Sequence, residues 1–216
     1  MSSDSSLREL LAQTALRLGP DAPTLCPPWD VRALVAHLVV RESRPDALPG
    51  IGLALGALRT HTATVQSEIA SGDFGALVQS FRSGPPRWSP TRVPALGALV
   101  NTTEFAIHHE DLVRAQPAWE PTTLSPEVQQ SLWGTLSKAG RLFYRSAGVG
   151  VVAIAEGLPS PRVVLHRPGK GHGTVVLRGT PLELVLHAFG RTSVAQVEVE
   201  GDDADVATLA AHIRGA

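Results

Sequence analysis

A change of hydrophobic period near Gly148 divides this chain into two kinds of structure. Before it, apolar residues recur at the spacing of amphipathic helices; after it they come in short alternating runs, the pattern of strands. Leu7, Leu10, Leu11 and Ala15 share one face of a first helix, which Gly19-Pro20 ends. Asp30 stands as N-cap ahead of Val31, Leu34, Val35, Leu38 and Val39, and Pro45 closes this second helix. A third helix is expected from Gly52 to Ala70 and a shorter one over Phe74–Phe81. They are followed by the loop Ser83-Gly-Pro-Pro-Arg-Trp-Ser-Pro90. A long helix from Leu96 to Gln116 stops at Pro117, and Ser125-Pro126-Glu127 opens the last one, with Pro126 at the first helical position. Four longer amphipathic helices joined by Pro-rich connections predict a helix bundle over residues 1–147.

Beyond Gly148 the runs Val149–Ala155, Arg162–Leu165 and Thr174–Leu177 read as strands. The turn-rich Leu158-Pro-Ser-Pro161 and Pro168-Gly-Lys-Gly-His-Gly173 separate them. Pro181–Phe189 reads as a helix, Ala195–Glu200 as a strand with Val197 and Val199 on one face, and Asp203–Ile213 as a closing helix. Residues 148–216 are therefore expected to form a small α+β domain, giving an α+β, two-domain chain.

A formal net charge of −1 gives no electrostatic case for nucleic acid or an acidic membrane as partner. No apolar run approaches the roughly 18–20 residues that span a bilayer. The opening MSSDSSLREL has no basic segment followed by an apolar one, so a cytoplasmic location is expected. The single cysteine, Cys26, excludes an intramolecular disulfide and a cysteine-based zinc site. It has no base beside it in sequence that would activate it.

The segment that carries chemistry is Asn101-Thr-Thr-Glu-Phe-Ala-Ile-His-His-Glu-Asp111, on the long helix. Glu104 and His108 are four apart and project from one face, where a carboxylate and an imidazole can hold the same ion; Asp111 continues that stripe. His109 points roughly 100° away. Such a pair also occurs on solvated helix faces. His37 adds to it, lying in Leu34-Val-Ala-His-Leu-Val-Val40 on the apolar stripe of its helix. It reads either as a neutral core histidine or as a ligand pointing inward. With Glu104 and His108 it would complete a His₂Glu set, which suits zinc or nickel and leaves a coordination position open.

Leu34-Val-Ala-His-Leu-Val-Val-Arg-Glu42 and Glu104-Phe-Ala-Ile-His-His-Glu-Asp-Leu112 resemble the metal-binding half of the mycothiol-dependent maleylpyruvate isomerase family, itself a DinB-like helix-bundle group. Gly179-Thr-Pro-Leu-Glu-Leu-Val-Leu-His-Ala-Phe-Gly-Arg191 and Val197-Glu-Val-Glu-Gly-Asp202 resemble its small sterol-carrier-like C-terminal domain. The resemblance implies a DinB-like four-helix bundle carrying a divalent metal on His37, Glu104 and His108, and a second small domain. Arg41-Glu-Ser-Arg-Pro-Asp46 and the Gly-Pro-Pro-Arg-Trp loop look like marks of an actinobacterial metal-binding subgroup, so metal binding carries over and maleylpyruvate itself does not.

By that resemblance the protein would use mycothiol or a similar small-molecule thiol, activated at the metal, for isomerisation or S-transfer on an anionic substrate. Arg191 would anchor the substrate, although as the residue after Gly190 it also reads as the cap of a helix C-terminus. Arg41, one turn after His37, would face the same cleft and bind substrate; an ion pair with Glu42 or Asp46 is the other reading. Two alternatives stand beside this. One is metal-assisted hydrolysis, with Asp111 or Glu110 as base. The other is a non-catalytic protein that binds a metal or small ligand. Gly169–Gly173 reads as a hairpin turn, and His61, His166, His172, His187 and His212 as structural.

Overall fold

Helix α2 (Val31–Ser43) is walled in on nearly every side, and the first part of the fold is arranged around it. Val31, Leu34, Val35, Ala36, Leu38, Val39 and Val40 are all buried, along with His37 and Glu42. A helix apolar on most of its circumference can only be a central one. Leu34 and Leu38 are withdrawn fully from water, which stabilises by roughly 2 kcal/mol each. The Asp30 side chain caps the helix by accepting from the Ala33 amide at 2.8 Å, and Arg44 closes it before Pro45.

The computed structural model describes residues 3–47, 56–86, 89 and 94–214. The expected start of the third helix at Gly52, and Arg87, Trp88 and Pro90 of the following loop, lie outside the described residues. By contacts the chain forms two compact units, Met1–Thr122 and Thr123–Ala216. The first contains α1 (Ser3–Leu18), α2, α3 (Gly56–Ala70), α4 (Phe74–Ser83) and α5 (Pro94–Val113). Helix α1 packs along α5 and α4, while α2 packs against α3 and α4. Leu7, Leu11 and Ala15 of α1 are buried, as the period predicts, and Phe81 meets Phe105 edge-to-face at 5.3 Å. Against both rings lies the Arg8 guanidinium, which donates two bonds to Glu42 (2.7 and 2.6 Å) and one to the Phe81 carbonyl. This buried pair has its hydrogen bonds met, the condition under which such a pair is tolerated.

The second unit holds α6 (Pro126–Phe143), β1 (Gly150–Ala155), β2 (Arg162–His166), β3 (Thr174–Gly179), α7 (Pro181–Ala188), β4 (Glu198–Glu200) and α8 (Asp203–Arg214). Its sheet runs β2-β1-β3-β4, with β1 antiparallel to β2 and parallel to β3, and β3 antiparallel to β4. Strands begin where the period changes, near Gly148. The contact division falls one helix earlier, because α6 packs on α7 and β2. Gly140 allows that approach: a Cβ there would stand 2.5 Å from Leu165 Cδ2. Strand β4 is shorter than expected and exposed along its length, so Val199 lies on an open edge rather than in a core. Among the described residues no helix is long and apolar enough to cross a membrane.

Candidate metal centre

Helices α2 and α5 bring His37, Glu104 and His108 together. One donor atom from each lies within 4.8 Å of the other two. His108 Nε2 stands 3.5 Å from Glu104 Oε2, and the His37 and His108 rings meet edge-on at 5.4 Å. Donors around a four-coordinate zinc stand roughly 3.2–3.5 Å apart. The Glu104–His108 pair already has that spacing, and a His37 nitrogen lies within 4.8 Å of both. Both histidines are buried and Glu104 is partly open, so one side of the set faces outward.

The protonation chemistry suits a cation. Burial pushes the His37 pKa down to about 4, helped by the neighbouring His108, so its ring is neutral and free to donate a lone pair at neutral pH. Burial also opposes charge on His108. Its hydrogen bonds to Asp111, Cys26 and Glu104 outweigh that and hold its pKa well above the ordinary imidazole value. Glu104 is likewise penalised by burial, yet the His108 hydrogen bond and the Arg41 charge bring its pKa down to about 2. The pocket is thus built around a negative carboxylate that expects positive charge. The buried imidazolium of His108 supplies that charge when no ion does.

His108 is aimed from behind. Its Nδ1 is 2.9 Å from Asp111 Oδ2, and Asp111 is fully buried. A carboxylate on one ring nitrogen fixes the proton there and leaves Nε2 as the donor toward Glu104 and His37, the usual support of a metal-binding histidine. His37 in turn lies against Trp29, ring centroids 4.8 Å apart.

Arg41 stands beside this set. Its Nε is 3.7 Å from Glu104 Oε2, and Nη1 donates to Asn101 Oδ1 at 2.8 Å. The expected ion pairs with Glu42 or Asp46 are taken by others: Glu42 by Arg8, and Asp46 by Arg44 and His61. Asn101 faces Arg41 with its oxygen because its amide nitrogen points at Glu42 Oε1, 3.4 Å away.

His109 faces away from the set, toward Thr14 of α1 (3.1 Å) and Glu110 (3.2 Å). Glu110 is held by Arg114 Nε at 2.5 Å and is buried, and Asp111 is engaged behind His108. Neither carboxylate stands free beside the open side of the set, as a hydrolytic base would. Arg191 belongs to the second unit, where its Nη1 donates to the Phe189 carbonyl at 2.7 Å just after the positive-φ Gly190, the geometry of a helix cap. The remaining histidines have partners near them: His61 with Asp46, His166 with Val149 O, His172 with Asp205, His187 with Tyr144, and His212 with Phe143 O.

Sequence reasoning missed the surroundings of Cys26. Its Sγ donates to Asp111 Oδ2 at 3.1 Å, although 85 positions separate the two. No local spacing could signal that contact.

No protein-family model and no curated protein matches this sequence. Two solved structures are similar to it in fold. One is a mycothiol-dependent maleylpyruvate isomerase, with TM-score 0.56, 15% identity, and 91% of each chain covered. The other is a histidine-to-alanine mutant of a mycothiol-dependent maleylpyruvate isomerase, with TM-score 0.57, 16% identity and the same coverage. At that identity the likeness is one of fold: this chain shares the mixed α+β architecture of that isomerase over most of its length.

Proposed function

We propose that the protein binds one divalent ion, zinc or nickel, on His37, Glu104 and His108. With it the protein uses a low-molecular-weight thiol, mycothiol or a close analogue, for isomerisation or S-transfer on an anionic substrate. The observation that carries this reading is the convergence of two buried histidines and one partly open carboxylate, with a partly buried guanidinium beside them. An ion held there with an open position would keep a thiol deprotonated at neutral pH. The protein's own part is positioning. Asp111 holds the His108 tautomer, Trp29 packs on His37, and Arg41 offers a fixed positive charge to an anionic group beside the ion. The anchoring role expected of Arg191 belongs to the same proposal, and so does a cytoplasmic setting, where small thiols stay reduced.

Elemental analysis of protein purified without added metal tests the first part, with close to one ion per chain as the expected result. A panel of thiols assayed with unsaturated dicarboxylates tests the second. Turnover that requires a thiol supports the reading; turnover without one points to hydrolysis. Metal without turnover across the panel leaves a binding protein.

A further inference from the structure

The imidazole of His108 has two nitrogens, and the His₂Glu set uses one. The other faces a separate group of donors. Nδ1 lies 2.9 Å from Asp111 Oδ2, and the same oxygen accepts from Cys26 Sγ at 3.1 Å. These sulfur, nitrogen and oxygen atoms all lie within 4.8 Å of one another. The sulfur is held in place by its loop. Leu25 N donates to the Asp111 carbonyl (3.0 Å), Cys26 N donates to Thr24 Oγ1 (3.1 Å), and that hydroxyl donates to the Trp29 carbonyl (2.7 Å). Asp111 is fully buried, whereas Cys26 is half-buried, so the group lies nearest solvent on the Cys26 side.

We propose that Cys26 Sγ, Asp111 Oδ2 and His108 Nδ1 form a second metal position, one that takes a thiophilic dication such as cadmium. It shares only His108 with the first position and lies at the other nitrogen of that ring. It does not require the first to be loaded. The argument is one of charge and softness. A thiolate and a carboxylate together neutralise a dication, so the complex carries no net charge into a largely buried place, where an unbalanced one would be costly. The His₂Glu set offers a single negative charge and no sulfur. Soft ions therefore sort to the cysteine side and borderline ions to the glutamate side. Binding displaces the Sγ–H and Nδ1–H protons, which pass to solvent, and the Asp111 oxygen that accepted both hydrogen bonds turns to the ion.

The test is a cadmium titration of the full chain, followed by the ultraviolet thiolate-to-cadmium charge-transfer band. That band reports Cys26 alone, because the chain has no other cysteine. Wild type and His37→Ala should both develop it, saturating at one equivalent. Cys26→Ser should lose it together with one equivalent of bound cadmium. Asp111→Asn should weaken cadmium binding at least roughly tenfold, the lower end of what losing even an outer-shell partner costs. A wild type with no band overturns the proposal, and so does Asp111→Asn binding as tightly as wild type, which would mean a lone thiol. Cadmium NMR of the wild type keeps the test decisive if Asp111→Asn does not fold: a shift typical of one sulfur among nitrogen and oxygen ligands is expected, and one typical of sulfur and water alone overturns the site. A cadmium band in protein that takes up no zinc would uphold this position while removing the proposed function.

Discussion

His108 and Asp111, three positions apart on α5, share a 2.9 Å contact that assigns the two ring nitrogens different work. Nδ1 is committed to the buried carboxylate, and Nε2 is presented to Glu104 and His37. Asp111→Asn removes the charge and permits the other tautomer. Zinc affinity, measured by competition with a chromogenic chelator, should fall by about 10–100-fold with the ligands themselves intact. An unchanged affinity would show that packing alone orients the ring.

The ligand assignment separates two adjacent histidines. His37→Ala and His108→Ala should each lose most of the bound ion in elemental analysis. His109→Ala should keep it and lose stability instead, by about 1–3 kcal/mol, because the buried Thr14 hydroxyl loses its His109 partner and Glu110 loses one of its hydrogen bonds. Equal metal loss in all three would refute the assignment.

Metal binding should release a proton. Without an ion, the raised His108 pKa keeps that ring charged at neutral pH, while His37 is already neutral. An incoming ion must therefore displace the Nε2 proton, and affinity should weaken as pH falls. Calorimetry in two buffers of different ionisation enthalpy would count the protons; a count near zero at pH 7 would contradict the charge assigned to His108.

Arg41→Gln should leave metal content unchanged, since the guanidinium is not a ligand. It should weaken binding of a small dicarboxylate to the zinc-loaded protein by about tenfold, the loss of one charged hydrogen bond. Unchanged anion binding would return Arg41 to a purely electrostatic neighbour of Glu104.

The second unit carries its own pH dependence. Burial lowers the His187 pKa to about 4, and its Nδ1 shares a hydrogen bond with the Tyr144 hydroxyl, whose pKa burial raises. In the unfolded chain His187 titrates near 6.5. Between those values the unfolded state binds the extra proton, so stability is complete above about pH 6.5 and is lost as pH falls toward 4, by about 3 kcal/mol in all. Urea unfolding at pH 7 and pH 4.5 should show that loss, and His187→Gln should reduce it, leaving the share that His37 contributes; an equally steep loss in the variant would assign it to other groups.

What could be read from the sequence followed the range of the signal. Glu104 and His108 could be matched because helical geometry places i and i+4 together, and His37 because a polar ring interrupts an apolar stripe. The partners of Arg41 could not be read, because Asn101 lies 60 positions away on another helix, with Glu104 one turn further along it. Cys26 shows no base beside it in sequence for the same reason, since its Asp111 partner is 85 positions away. Helix α6 showed a clear apolar face, but periodicity does not say what such a face will cover, and α7 and β2 claimed it. Val199 fits the alternation of a strand, yet the three-residue edge strand is exposed along its length.

Because α2 is enclosed on nearly every side, His37 sits on a backbone with no room to recoil. An ion of unsuitable radius cannot recruit that helix to follow it. Adjustment would then fall to Glu104, whose carboxylate is the one partly open member of the proposed set and could slide between one-oxygen and two-oxygen contact. Size discrimination should therefore be asymmetric. Larger ions gain a second oxygen and are tolerated, while the imidazole spacing stays fixed and sets the lower limit on what the cage can grip.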